Sequence, residues 1–418
     1  AAGAIALAAS AQENITPEVL STLKQSYEGN AADRARQSVV SNGSFRKLAM
    51  RPAVNTTGEN THFSIDIRNT GITDQQSSGR CWMFTGMNVL RNKAMKKMGI
   101  TGFQFSQIHL FFYDQLEKAN LFLQGIIDTR SESIDHQKVQ WLMQNPLSDG
   151  GTYTGVADLV SKYGLVPSEV QEETWASNNT SEIDGHLKRK LREIAINLRE
   201  QAQAGKSEAE LQAYKVEQMK TIYQMLVLAY GEPVQEFLWA PRGKDGKLLS
   251  ELKKYTPLEF YHEYCAEAGD LQKDYVMLMN DPSRPYNKVY EIDMDRHMHE
   301  GHNWLYLNLD IKDLAPIAIA SLQDSTQMYF SCDVGKFLLS KKGTLDINNF
   351  DYESLMGVEF PMNKEERVRT FASGSSHAMT LIAVDLDENG TPKKWMVENS
   401  WGPQAGWKGN LIMTDEWF

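Results

Sequence analysis

Cys81, His377 and Asn399, with Gln75 shortly ahead of the cysteine, are side chains that together can activate a thiol. A free thiol titrates well above neutrality, so it becomes a nucleophile only beside a base and in a favourable local field. His377 can be that base, Asn399 can orient its ring, and the Gln75 amide can donate to a developing oxyanion. Taken singly, each reads more simply as a buried thiol, a satisfied imidazole or an unrelated amide. The chemical reading rests on all four in this order, each within its own local string.

The elements that must position them are legible in the spacing. After Cys81 the apolar residues Met83, Met87, Leu90, Ala94 and Met98 recur every three or four positions, the pattern of one helix face, and Gly99 is its stop signal. Cys81 is therefore expected at a helix N-terminus, where unpaired N–H groups and the macrodipole favour a thiolate. Ser77, Ser78 and Gly79 read as the loop that turns into that helix. Met379 to Asp385 reads as an apolar strand, Asp387-Glu388-Asn389-Gly390 as a hairpin turn, and Trp395 to Asn399 as the return strand. The midpoint of His377 and Asn399 falls on Glu388, inside that turn. A regular hairpin places the two side chains across from each other at its open end.

At these residues the chain resembles the bleomycin hydrolase and aminopeptidase C family of papain-like cysteine peptidases. The matching strings are Asp-Gln-Gln-Ser-Ser-Gly-Arg-Cys-Trp-Met-Phe at 74–84, Ser-His-Ala-Met-Thr at 376–380 and Val-Glu-Asn-Ser-Trp-Gly at 397–402. Further matches are Phe-Ser-Gln at 105–107, Asn-Pro-Leu-Ser-Asp-Gly-Gly at 145–151, Lys-Tyr-Gly-Leu-Val-Pro at 162–167 and Cys-Asp-Val-Gly-Lys at 332–336. The resemblance implies an α+β, papain-like two-lobed fold: a helical lobe carrying Cys81, a β-rich lobe carrying His377 and Asn399, and a cleft between them for peptide substrates. It implies Cys81, His377 and Asn399 as catalytic residues, Gln75 in the oxyanion site, and Gly150, Gly151 and Ala378 along the substrate. Trp82 is expected beneath the helix, and Trp401 as a shield over the His377–Asn399 hydrogen bond. No metal or organic cofactor is implied.

The implied activity is release of N-terminal amino acids through a thioester. In the resembled family a C-terminal tail lies in the cleft and its carboxylate meets the substrate amino group. The sequence stops at Phe418, where the family continues, so an open cleft and endopeptidase activity are the alternative if Phe418 is the true end. A noncatalytic assembly protein of the same fold, or an acyltransferase using the same thioester, are further alternatives.

Cys81 and His377 are about 300 residues apart, against roughly 130–150 in compact papain-like enzymes, so a large insertion is expected. Leu187, Leu191, Ile194 and Leu198 form a helical stripe, Gly205 breaks it, and Ser207 with Glu210 reads as a capping box opening a second helix. This reads as a helical hairpin arm, which in the resembled family helps build a homo-hexamer. The expected organisation is a signal-peptide remnant at 1–11, an N-terminal extension at 12–59, the helical lobe at 60–182, the helical insertion at 183–260 and the β-rich lobe at 261–418.

With 418 residues and a net charge of −11, the chain can bury a sizeable core, and its charge argues against nucleic acid as a main partner. Ala1 to Ala9 is small and apolar and Ala9-Ser10-Ala11 fits a cleavage site, so a periplasmic or secreted location is expected, with the cytoplasm as the family alternative. That run is too short to span a membrane. Cys265 and Cys332 read as buried thiols, with a disulfide between them as the alternative. The tract His297-Met-His299-Glu300-Gly-His302 could bind a metal, but Gly301 and the order of its ligands favour a surface loop.

Overall fold

The computed structural model describes residues 14–27, 29–51, 60–69 and 71–418. It divides into two compact units, Ala1–Val54 with Asn348–Pro361, and Asn55–Ile347 with Met362–Phe418. In the first unit, helices Pro17–Gln25, Ala31–Val40 and Phe45–Ala49 accompany the short helix Tyr352–Met356. Thr16 and Asn30 cap the first two through their side chains. The Arg51 N–H donates to Asn349 O and the Asp351 N–H to Ala49 O, which ties the two stretches of chain together. The signal-like residues 1–11 lie outside the described residues.

The second unit holds both lobes. Its central helix, Cys81–Met98, begins at Cys81 and ends at Gly99, whose left-handed φ of 69° closes the helix. The expected face of Met83, Met87, Leu90, Ala94 and Met98 is buried, and so are Phe84, Thr85, Asn88, Val89 and Arg91. A helix buried nearly all round packs on both sides. Here one side meets the helices Gln107–Asp128 and Tyr153–Tyr163, and the other meets the sheet strand His377–Leu386. Gly86 permits the closest approach, since a Cβ there would lie 2.8 Å from the Val156 methyl groups.

The expected insertion helices are Thr180–Gln203 and Glu208–Tyr230, and Ser207 and Glu210 form the reciprocal capping box. They are not a projecting arm. Leu187, Leu191, Ile194, Leu198, Leu211, Ile222 and Leu226 are buried in the same hydrophobic core as Trp82 and Phe111, and the pair packs along Gln107–Asp128. The stripes that suggested an arm are the faces by which the hairpin joins the helical lobe.

The β lobe is built on a sheet of seven strands among the described residues. Strand His377–Leu386 pairs antiparallel with Pro392–Glu398 on one side and with Met328–Cys332 on the other. Pro392–Glu398 then pairs with Asn410–Thr414. The hairpin turn falls where expected, but the hairpin is irregular: Thr380 pairs with Glu398, whereas Ala383 pairs with Met396 and Leu386 with Pro392. Each bulge adds a residue to one strand and slides the register. The ladder between these two strands ends at Thr380 and Glu398, so Asn399 follows its last pair directly and His377 opens the facing strand. No helix among the described residues is long and apolar enough to cross a membrane.

Candidate active site

Cys81 is the first residue of its helix, so its N–H is among the groups with no intrahelical partner. The loop that delivers it is tied down on two sides. The Gly79 N–H donates to Asp149 Oδ2 at 2.7 Å, and Thr180 Oγ1 donates to the same oxygen at 2.6 Å. Upstream, the Gln75 N–H donates to Ser400 O at 2.8 Å and the Gly402 N–H to Thr73 O at 3.1 Å, docking the Gln75 segment onto the stretch that follows Asn399. Gln75 is buried, its Nε2 donating to Ser78 O at 2.6 Å and its Oε1 accepting from Ser400 Oγ at 2.7 Å. A carbonyl can only accept, so the Ser78 contact fixes which end of the amide is nitrogen and leaves one further N–H for a ligand.

His377 Nε2 and Asn399 Oδ1 are 2.7 Å apart, and both residues are buried. The tautomer follows from the neighbouring bond. The Ser400 N–H donates to the same Asn399 Oδ1 at 2.8 Å, so that atom is an acceptor and His377 Nε2 carries the hydrogen. His377 Nδ1 is thereby left with its lone pair. The Trp401 ring stacks on the imidazole at a centroid distance of 4.7 Å and an interplanar angle of 25°. Trp401 thus covers one face of the imidazole.

Burial dominates the electrostatics of this pair. It pushes the Cys81 thiol above its ordinary 9.0, against the lowering effect of the Ala378, Trp82 and Cys81 backbone N–H groups, and the Asp149 charge adds to the rise. Burial likewise pushes His377 below its ordinary 6.5, countered by the Asn399 hydrogen bond. The sequence leads to the expectation of an imidazole partner together with a favourable field at the helix terminus, and in the structure burial works against the field. The helix N–H groups do favour the anion, but desolvation at this position outweighs them.

Gly150 and Gly151 follow Asp149, whose carbonyl accepts from the Trp82 indole N–H at 2.9 Å. Trp82 is fully buried, so the residue after Cys81 anchors the loop that carries Gly150 and Gly151. A Cβ on Gly151 would lie 2.7 Å from the Trp82 ring and 2.2 Å from His297, so only glycine fits there. Lys118 Nζ donates to Gly150 O at 2.7 Å. The Ala378 backbone N–H is among the groups that lower the Cys81 thiol, so the third expected substrate-side residue lies close enough to act on the sulfur electrostatically.

The histidine tract is a loop with His299, Glu300 and His302 exposed, as expected, but its first histidine is drawn into the core. His297 is buried, its Nδ1 lies 2.7 Å from Asp114 Oδ1, and its ring meets Trp82 edge-on at 4.7 Å. His302 Nδ1 lies 2.7 Å from Asp158 Oδ1, and Glu300 pairs with Lys162. These carboxylates lie far away in the sequence, and for that reason the tract looked unpaired when read alone. Among the described residues no group of three or more His, Cys, Asp or Glu side chains is arranged to hold a metal. Cys81, Cys265 and Cys332 are all unpaired, and burial pushes the Cys265 thiol up to about 12. Sequence reasoning also missed the buried ion pair of Arg91 with Glu398, at 2.6 Å, and the role of Ser400.

A model of the Peptidase C1-like family matches residues 14–418. Human bleomycin hydrolase is 40% identical over 355 residues, covering 83% of this chain and 77% of that protein. Aminopeptidase C of Streptococcus thermophilus is 36% identical over 394 residues, covering 94% of this chain and 87% of that protein. The solved structure of PepW from Lactobacillus rhamnosis superposes with a TM-score of 0.89 at 33% identity, covering 97% of this chain and 90% of that one. The match runs through both lobes and the helical hairpin alike, and by it the chain belongs to the Peptidase C1-like family, with an α+β fold shared by bleomycin hydrolases and aminopeptidases C.

Proposed function

We propose that the chain is a cysteine-type aminopeptidase that releases N-terminal amino acids from peptides. Relatives named aminopeptidase C and aminopeptidase E, at 34–38% identity, support the activity, and the family supports the chemistry. The observation that carries the assignment of residues is the fixed tautomer of His377, bonded to Asn399 at 2.7 Å.

In this reading Cys81 gives its proton to His377 Nδ1 and attacks the scissile carbonyl. Asn399 keeps the imidazole in position, and the imidazolium then protonates the leaving amine. The free Gln75 N–H and the Cys81 N–H receive the oxyanion. Neutral His377 next takes a proton from water, which hydrolyses the Cys81 thioester. Gly150, Gly151 and Ala378 receive the extended substrate backbone. The chemistry needs no cofactor. Assembly into a homo-hexamer and a cytoplasmic location are carried by the family resemblance, while export rests on residues 1–11 alone.

Release of leucine from leucyl-glycyl-glycine tests the assignment. His377→Ala is expected to lower turnover by about 10²–10⁴-fold, the usual share of a general acid–base. Turnover equal to wild type would overturn it.

A further inference from the structure

Gly150 and Gly151 carry no side chains to hold their loop in one conformation, and glycine loses the most freedom on being ordered. The restraint comes from the helix Gln107–Asp128. Lys118 Nζ donates to Ser148 O at 2.9 Å and to Gly150 O at 2.7 Å, one carbonyl on each side of Asp149. Its third hydrogen bond goes to Asp114 Oδ2 at 2.8 Å, so all three ammonium donors are used. Asp114 anchors this tripod. Its side chain is fully buried, and its other oxygen lies 2.7 Å from His297 Nδ1. Burial works against the Asp114 charge, but the opposing charges, Lys118 foremost, keep the carboxyl below its ordinary 3.8.

The same loop is tied to the reacting thiol on both sides. Asp149 holds the Gly79 N–H, two residues before Cys81, and the indole of Trp82, directly after it. The Lys118 ammonium itself lies 5.2 Å from the centre of the Trp82 ring. Peptide geometry then sets a direction. No cis peptide occurs among the described residues, and in a trans peptide the N–H lies opposite the C=O. With the Gly150 C=O drawn to Lys118, the Gly151 N–H points away from the helix Gln107–Asp128. Among the described residues that N–H donates to no protein group, and the Gly151 C=O accepts from none. A half-buried residue with both backbone groups open is suited to pair with a passing peptide backbone.

Resting on the peptidase reading above, we infer that Lys118, anchored by Asp114, is a positioning residue that fixes the Gly150–Gly151 peptide plane so that the Gly151 backbone groups meet the substrate backbone. Asp149 keeps its bonds to Gly79 and Trp82 without Lys118, so the thiol stays in place and the loss falls on substrate binding.

Lys118→Met keeps the length of the stem and removes the three hydrogen bonds. The test is steady-state kinetics on leucyl-glycyl-glycine and on its acetylated form, with KM and kcat read separately. On a peptide that wild type cleaves, KM is expected to rise about tenfold, the worth of one or two hydrogen bonds, with kcat within about threefold. A KM change below about threefold overturns the inference, even where the melting temperature falls, because a purely structural lysine would show only the latter. Lys118→Arg keeps the charge and the donors, so its KM should stay within about threefold of wild type. A rise equal to that of Lys118→Met would assign the effect to the lysine stem and overturn the inference. If Lys118→Met does not fold, Asp114→Asn/Lys118→Met leaves no buried charge without its partner and must show the same rise in KM; an unchanged KM overturns the inference. Wild type that cleaves the acetylated peptide alone sinks the aminopeptidase reading but not this inference, since the split is then read on that peptide. Wild type that cleaves neither overturns both.

Discussion

The Asp149 carboxylate accepts the Gly79 N–H at 2.7 Å, two residues ahead of the reacting thiol. The same residue's carbonyl accepts the Trp82 indole N–H, and its Oδ2 also accepts from Thr180. Asp149 thus links the loop before Cys81, the residue after it, the Gly150–Gly151 loop and the first residue of the insertion helix. One residue sets where the sulfur stands relative to the Gly150–Gly151 loop.

Gly79→Ala tests that clamp. The added Cβ would lie 2.3 Å from Asp149 Oδ1, so the loop or the carboxylate must move. A displacement of about 1 Å costs on the order of 10²-fold in rate when geometry is exacting. Turnover should fall by roughly that factor with the melting temperature little changed. Wild-type turnover would show that the clamp does not position Cys81.

Gln75→Ala should lower turnover by about 10²–10³-fold, the usual effect of losing one oxyanion donor. It also leaves the buried Ser400 hydroxyl without its acceptor, so a stability loss of about 1–3 kcal/mol is expected in denaturant titrations. Full activity in the variant would remove Gln75 from the oxyanion site.

Arg91 and Glu398 form an ion pair at 2.6 Å with both side chains only 1% exposed, joining the Cys81 helix to the strand that leads into Asn399. Removing one partner leaves a buried charge, so Arg91→Met should destabilise the protein by about 3–5 kcal/mol, and Arg91→Met/Glu398→Leu by clearly less. Equal losses in the two variants would contradict this.

The pH dependence of alkylation follows from the directions of the two shifts. Burial raises Cys81 above 9.0, so in His377→Ala, where no base takes the proton, iodoacetamide should react with a midpoint above 9.0. In wild type His377 accepts that proton, and the reaction should extend well to the acid side. Because burial holds His377 below its ordinary 6.5, protonation of the base should stop the reaction only below that pH. A midpoint at or below 9.0 in His377→Ala would mean that the helix N–H groups outweigh desolvation.

Much of this was legible in the sequence, for reasons particular to each residue. The start of the helix at Cys81 and its end at Gly99 were written in local spacing and a glycine stop, and the turn around Glu388 in its residue types. What could not be read depended on partners distant in the chain. The two bulges in the hairpin shift its register one way and then back again, and the residue types along the two strands do not announce either of them. Asp114 and Asp158, which pair with His297 and His302, lie more than a hundred residues ahead of them, and no local signal announces such pairing.

The most direct test compares wild type and Cys81→Ala on two fluorogenic peptides that differ only in whether the N-terminus is free or acetylated. The account predicts cleavage of the free peptide alone, abolished by Cys81→Ala. Equal cleavage of the acetylated peptide would contradict the aminopeptidase assignment, and cleavage that survives Cys81→Ala would contradict the thiol mechanism itself.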